Sequence, residues 1–156
     1  MIEPETVVFL ESGCGILVGS VGPDGAPHAS RGWGMTVLDP VDLRLLVVLE
    51  SNDVVAAENL APGRPIAITG AEVPTLRAMQ LKGRSLGVEA ATEADVERAA
   101  RYADAFFGDI ERADGDAREV LERILPLGYV VCTVAIDELY DQTPGPGAGA
   151  RIGAAS

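Results

Sequence analysis

At 156 residues the chain is long enough for one domain with a core of its own. Hydrophobic residues make up 47% and aromatics only 4%, so Val, Leu, Ile and Ala must build that core. A formal net charge of −12, from 24 acids and 12 bases, repels phosphate backbones and anionic lipid. That argues against nucleic acid or membrane as partners and leaves a small molecule.

The opening Met1-Ile2-Glu3-Pro4-Glu5 is acidic and lacks the basic start of a signal peptide, so a cytoplasmic location is expected. Pro4 to Ser12 suits a short helix that Gly13 stops. Cys14 to Val21 reads as a strand. Gly22-Pro23-Asp24-Gly25 then supplies turn chemistry, and Ala26 to Leu38 forms the second arm of a hairpin. Asp39-Pro40 breaks this strand. Asp42 to Glu50 is a third strand, and Ser51-Asn52-Asp53 offers caps for a short helix reaching Leu60.

Arg64 to Val73 is a fourth strand. Thr75 to Ala91 is a fifth, long enough to need a bend near Gly83 or Gly87. Thr92 and Asp95 resemble a capping box. Behind them Val96, Ala99, Ala100, Ala103, Phe106, Phe107 and Ile110 recur at helical spacing and predict one buried face. A second helix, Ala117 to Leu125, has Val120, Leu121, Ile124 and Leu125 on one side. Tyr129 to Ile136 is a sixth strand, and the Pro- and Gly-rich chain after Tyr140 is expected to be extended. Cys14 and Cys132 lie in apolar strand surroundings and predict reduced, half-buried thiols. Turn-linked strands with few crossover helices favour an antiparallel barrel: a mainly β, α+β fold.

The chemistry is bounded first by what is missing. With His28 as the single histidine, a two-histidine metal site is impossible, and no metal is expected. No phosphate-cradling glycine loop and no nucleophile elbow occur, so a hydrolase is disfavoured.

Three features remain. In Ser30-Arg31-Gly32-Trp33-Gly34, a period of two puts Arg31 and Trp33 on one face and the two glycines on the other. Bare backbone there suits a flat ring or a neighbouring chain. In Gln80-Leu81-Lys82-Gly83-Arg84, the residues Gln80, Lys82 and Arg84 share a face, opposite Met79 and Leu81. Two cations and an amide in an acidic chain suit a phosphate or carboxylate, and an ordinary solvated face would look the same. Ser51 and Asn52 open a helix whose free N–H groups could meet a phosphate, although Glu50 and Asp53 favour a plain cap.

Taken in order, several strings resemble the pyridoxamine 5′-phosphate oxidase-like FMN-binding split barrels. They are the Gly22-Pro23-Asp24-Gly25-Ala26-Pro27 hairpin, the strand carrying Arg31, the junction at Ser51 and the strand ending Leu81-Lys82-Gly83. The resemblance runs from about Glu5 to Tyr140. It implies a six-stranded antiparallel split β-barrel; the peripheral helices at about 93–125 add a segment that many small members lack, and the domain is expected over 1–140 with a tail over 141–156. It also implies a homodimer with FMN at the subunit interface, held by Arg31, Ser51, Asn52 and Lys82 or Arg84, with Gly32, Trp33 and Gln80 around the ring. Flavin-binding members often carry Ser/Thr-x-Lys after the third strand; here the third position is Asp53. The expected function is a flavin-dependent oxidoreductase acting on a small molecule. The alternatives are a split barrel holding a deazaflavin, haem or metabolite without oxidase activity, and a purely structural dimer.

Overall fold

The computed structural model describes residues 1–154. A hairpin comes first: β1 (Gly15–Val21) and β2 (Pro27–Asp39) pair antiparallel from Ile16↔Gly32 to Val21↔Pro27. Its turn closes because Gly22 N–H donates to Ala26 O, the Asp24 carboxylate accepts from Ala26 N–H, and Gly25 sits at φ 84°. On the free edge of β2 lies β3 (Arg44–Glu50), and on that of β1 lies β4 (Pro65–Ala71). The long strands β5 (Ala78–Ala90) and β6 (Tyr129–Asp141) complete the wall. β5 pairs with β4 and β6, and β6 returns to pair with β3 from Arg44↔Ala135 to Glu50↔Tyr129. The β3–β6 pairing closes six antiparallel strands into a barrel.

Alternation fills the interior. Ile16, Val18, Leu45, Val47, Ile68, Leu81, Cys132 and Val134 are all at most 3% exposed. Closure requires bends, and the β5–β6 pair makes them with register shifts at Lys82/Gly83 and Ser85/Gly87, the two positions where the glycines suggested a bend. At Gly83 a side chain would run into the Ala135 carbonyl, so only glycine lets β6 approach.

The helices cover the wall and its ends. Thr92 caps α3 (Glu93–Asp114) through the expected box with Asp95. This helix lies over Trp33, whose indole meets Tyr102 and Phe107 edge-on with ring centroids 6.4 Å apart in each case. The buried face differs in part from the periodicity. Ala99, Tyr102, Ala103 and Phe107 are inside, whereas Val96 and Ala100 are exposed, because the helix meets a curved wall along a narrower stripe. α1 (Pro4–Leu10) buries Phe9 and Leu10. The segment expected to be one helix from Ala117 is instead a single turn, α4 (Arg118–Leu121), followed by a 3₁₀ turn (Glu122–Ile124). Leu121 alone is buried there, and Val120, Ile124 and Leu125 face outward.

β6 runs five residues past the expected Ile136, to Asp141. The tail is not simply extended: it turns at 143–149 and returns as β7 (Arg151–Ala154), antiparallel to β6. Cys14 and Cys132 are free and fully buried rather than half-buried. Burial pushes the Cys14 thiol up to about 11, which makes it a packing group and a poor nucleophile. No helix among the described residues is long and apolar enough to cross a membrane.

Candidate functional site

Register fixes which side chains share the outer wall, since paired residues on neighbouring strands point to the same face. One row across β2, β1, β4 and β5 is Ala29, Gly19, Ala67, Lys82; the next is Arg31, Leu17, Thr69, Gln80. Both rows point away from the interior. Three small residues therefore form a shallow floor, with Lys82 at one rim and Arg31 at the other. A groove of about 670 Å³ opens over this floor, walled by Val21, Pro27, Pro65, Lys82 and Asp137. That volume lies within the range of small-molecule sites.

The cations differ in how free they are. Arg84 Nε lies 3.6 Å from an Asp137 carboxylate oxygen. Lys82 makes no ion pair among the described residues and holds its ammonium 4.9 Å from the Tyr140 ring centroid. Arg31 is likewise unpaired there, with its guanidinium carbon 5.8 Å from the Trp33 ring centroid. Gln80 donates from Nε2 to Thr69 Oγ1 at 3.2 Å. As the alternation required, Gln80, Lys82 and Arg84 line up outside while Met79 and Leu81 are buried.

The glycine strand is built otherwise than the alternation suggested. Arg31 and Trp33 do share the outer face, but Trp33 is 0% exposed beneath α3 and donates from Nε1 to Glu50 Oε1 at 3.2 Å. Gly32 points into the barrel, where a side chain would collide with Ile16. Gly34 is the bulge residue, at φ 126°, packed below Tyr102 and Arg98. No bare backbone surface is left at Gly32 and Gly34; the barrel's own side chains and α3 cover it.

Ser51 and Asn52 sit on an exposed turn, where Ser51 N–H donates to Gly128 O. They lie at the β3 end, near Arg31. Lys82 pairs with Glu138, towards the other end of β6 from Tyr129, the partner of Glu50. The structure thus separates the expected residues into an Arg31–Ser51–Asn52 group and a Gln80–Lys82–Arg84 group.

The residue that caps α2 (Val54–Asn59) is Asp53. Its carboxylate accepts from Ala56 N–H at 3.0 Å, from Ser30 Oγ at 2.6 Å and from His28 Nε2 at 2.8 Å. Burial raises the Asp53 carboxyl, and the bonds from Ser30, Ala56 and His28 outweigh it, leaving the group below its ordinary value. Separately, Asn59 Nδ2 donates to Ser20 Oγ at 3.1 Å and ties the end of α2 to β1. The N-terminal N–H groups of α2 thus meet a carboxylate supplied by the chain itself. The three groups do not form a hydrolytic triad, which needs the imidazole between hydroxyl and carboxylate; here the carboxylate is in the middle. Sequence reasoning missed the floor because Gly19, Ala29 and Ala67 are unremarkable until pairing joins them. It missed the Asp53 network because its members are 25 and 23 residues apart. Among the described residues no cluster of His, Cys, Asp and Glu is placed to hold a metal ion.

Comparison with solved structures decides the fold. A protein from Lactobacillus delbrueckii assigned as a candidate pyridoxamine 5′-phosphate oxidase is 22% identical, covers 89% of this chain and 93% of its own, and superposes with a TM-score of 0.54. The chain has the pyridoxamine 5′-phosphate oxidase-like split-barrel fold. The same split barrel serves HutZ, the haem storage protein of Vibrio cholerae, at 17% identity over 90% of this chain and 94% of that one, TM-score 0.51. It also serves an F420 reductase, at 17% identity over 88% of this chain and 98% of that one, TM-score 0.50. No protein-family profile matches the sequence, and no curated protein does.

Proposed function

We propose that this split barrel binds a planar, anionic cofactor of the flavin class on the outer floor of β1, β2, β4 and β5, and uses it for redox chemistry on a small molecule. The observation that carries the reading is the floor itself. Gly19, Ala29 and Ala67 leave a flat apolar surface, and Lys82 stands unpaired at its rim. A ring can lie against small side chains, and an ammonium can meet its anionic arm. Across the floor, Arg31 is three strand spacings and one row away from Lys82, roughly 16 Å. One phosphate cannot bridge that span, but a ring carrying an extended arm can.

The residues present fit FMN in part. The floor suits the isoalloxazine and Lys82 suits the phosphate. The start of α2 does not, because Asp53 fills the place where flavin-binding relatives put a cation. FMN, when bound, would supply the electron transfer; this chain would supply the floor, the charge at Lys82 and exclusion of water.

The second reading is a non-flavin cofactor, a deazaflavin or haem, in the same groove. Asp53 favours it, and so do an F420 reductase and a haem storage protein of the same fold. Thermal unfolding in the presence of FMN, a deazaflavin or haemin discriminates, because only a ligand of the native state raises the midpoint. FMN is expected to stabilise the protein and Lys82→Ala to weaken that effect. Stabilisation by haemin or a deazaflavin alone would select the second reading.

A further inference from the structure

Away from the groove, α3 encloses a second pocket that the proposed cofactor does not use. The pocket has a volume of about 320 Å³ and lies between α3, the turn after α1 and the bulge of β2. Gly13 closes one end: its α-carbon touches α3 so tightly that a methyl group there would lie 2.7 Å from the Ala105 side chain. Gly34, at φ 126°, lines the pocket beneath Arg98 and Tyr102.

The two walls carry opposite charge. Arg98 and Arg101 are one turn apart on α3 and both line the pocket. Arg98 uses Nη1 on Asp95 at 2.7 Å, which leaves further N–H donors. Arg101 has only a loose pairing, 3.9 Å from Glu97, on an exposed stretch. Facing them is Glu11, just past the end of α1. Oε1 of Glu11 accepts from Val37 N–H at 2.9 Å, and the negative end of the α1 dipole adds to its field. Between the walls lie Thr36 and Ser12, whose hydroxyl donates to Phe9 O at 2.7 Å. Tyr102 also lines the pocket, while its hydroxyl is buried towards the Ile16 backbone beneath α3 and does not open into it.

We propose that this pocket binds a small acidic amino acid or a close zwitterionic relative. The α3 guanidinium groups would hold its carboxylates and Glu11 its ammonium. A pair of guanidinium forks recognises carboxylates in bidentate fashion, and a lone opposed carboxylate selects a ligand that also carries a cation.

The test is calorimetric titration of the full chain with L-glutamate at constant ionic strength, alongside N-acetyl-L-glutamate, which lacks the ammonium. Saturable binding of L-glutamate is expected, with affinity at least about tenfold lower for the acetylated compound. Arg101→Gln is expected to weaken L-glutamate by a similar factor without moving the unfolding midpoint of the free protein, since that side chain is exposed. Glu11→Gln keeps an acceptor for Val37 N–H and is expected to abolish the preference for the free amine. The proposal is overturned if L-glutamate shows no saturable heat, if the acetylated compound binds as well, or if Arg101→Gln changes nothing. Lys82→Ala, which addresses the cofactor groove, is expected to leave this binding intact, so the two proposals fail separately.

Discussion

Asp53 is the residue whose chemistry departs most from what the family resemblance implies. A lysine there would extend the positive field at the end of β3. The aspartate turns inward, and three donors consume its lone pairs. Asp53→Ala removes a helix cap and leaves Ser30 and His28 without their acceptor, so a loss of about 2 kcal/mol in urea-unfolding free energy is expected. The sign of the pH effect follows from the lowered carboxyl. Its folded value lies below its unfolded one, so its stabilisation is present above the ordinary carboxylate range near 4 and disappears as pH falls through the folded value. Wild type is therefore expected to lose more stability between pH 6 and pH 3 than Asp53→Asn does, measured as the shift of the urea midpoint. Single residues were legible in the sequence where alternation alone decides orientation, as for Gln80, Lys82 and Arg84. They were not where a bulge intervenes, as at Gly34, because one extra residue in β2 redirects everything beyond it.

At the scale of elements, most strands and the main helix could be read from local chemistry. The hairpin followed from Asp24-Gly25, and the α3 start from Thr92 and Asp95, since turns and caps are short-range devices. The tail strand β7 escaped because its partner is β6 and nothing local in Arg151-Ile152-Gly153-Ala154 declares a strand. The helix from Ala117 fell short because only Leu121 finds a buried seat; an apolar stripe without a surface to cover does not hold a helix. Two substitutions probe this level. Gly83→Ala places a methyl group against the Ala135 backbone, opposite the β6 bulge at Asp137, and is expected to cost about 1–3 kcal/mol, with loss of native near-ultraviolet circular dichroism in mild urea. Thr92→Ala is expected to cost about 1 kcal/mol through the lost cap, seen as a lowered unfolding midpoint.

For the whole molecule, barrel closure is what converts scattered residues into a site. β3 and β6 are about 85 residues apart in sequence, and their pairing closes the wall that carries Gly19, Ala29 and Ala67 onto one floor. No local pattern encodes that pairing, so the groove was invisible while its rim cation was not. The floor also leaves Leu17 61% exposed beside Arg31, an apolar residue on a sheet face with nothing covering it. If this face is the interface of a homodimer, Leu17→Arg is expected to shift sedimentation from dimer towards monomer while leaving the circular dichroism of the fold unchanged. The most direct test of the account is equilibrium titration of FMN into the wild-type protein and into Ala67→Trp, followed by quenching of flavin fluorescence. Ala67 faces outward, so the tryptophan fills the groove without entering the core. The account predicts saturable binding to wild type and its loss in Ala67→Trp; equal quenching of both would place the flavin elsewhere and contradict it.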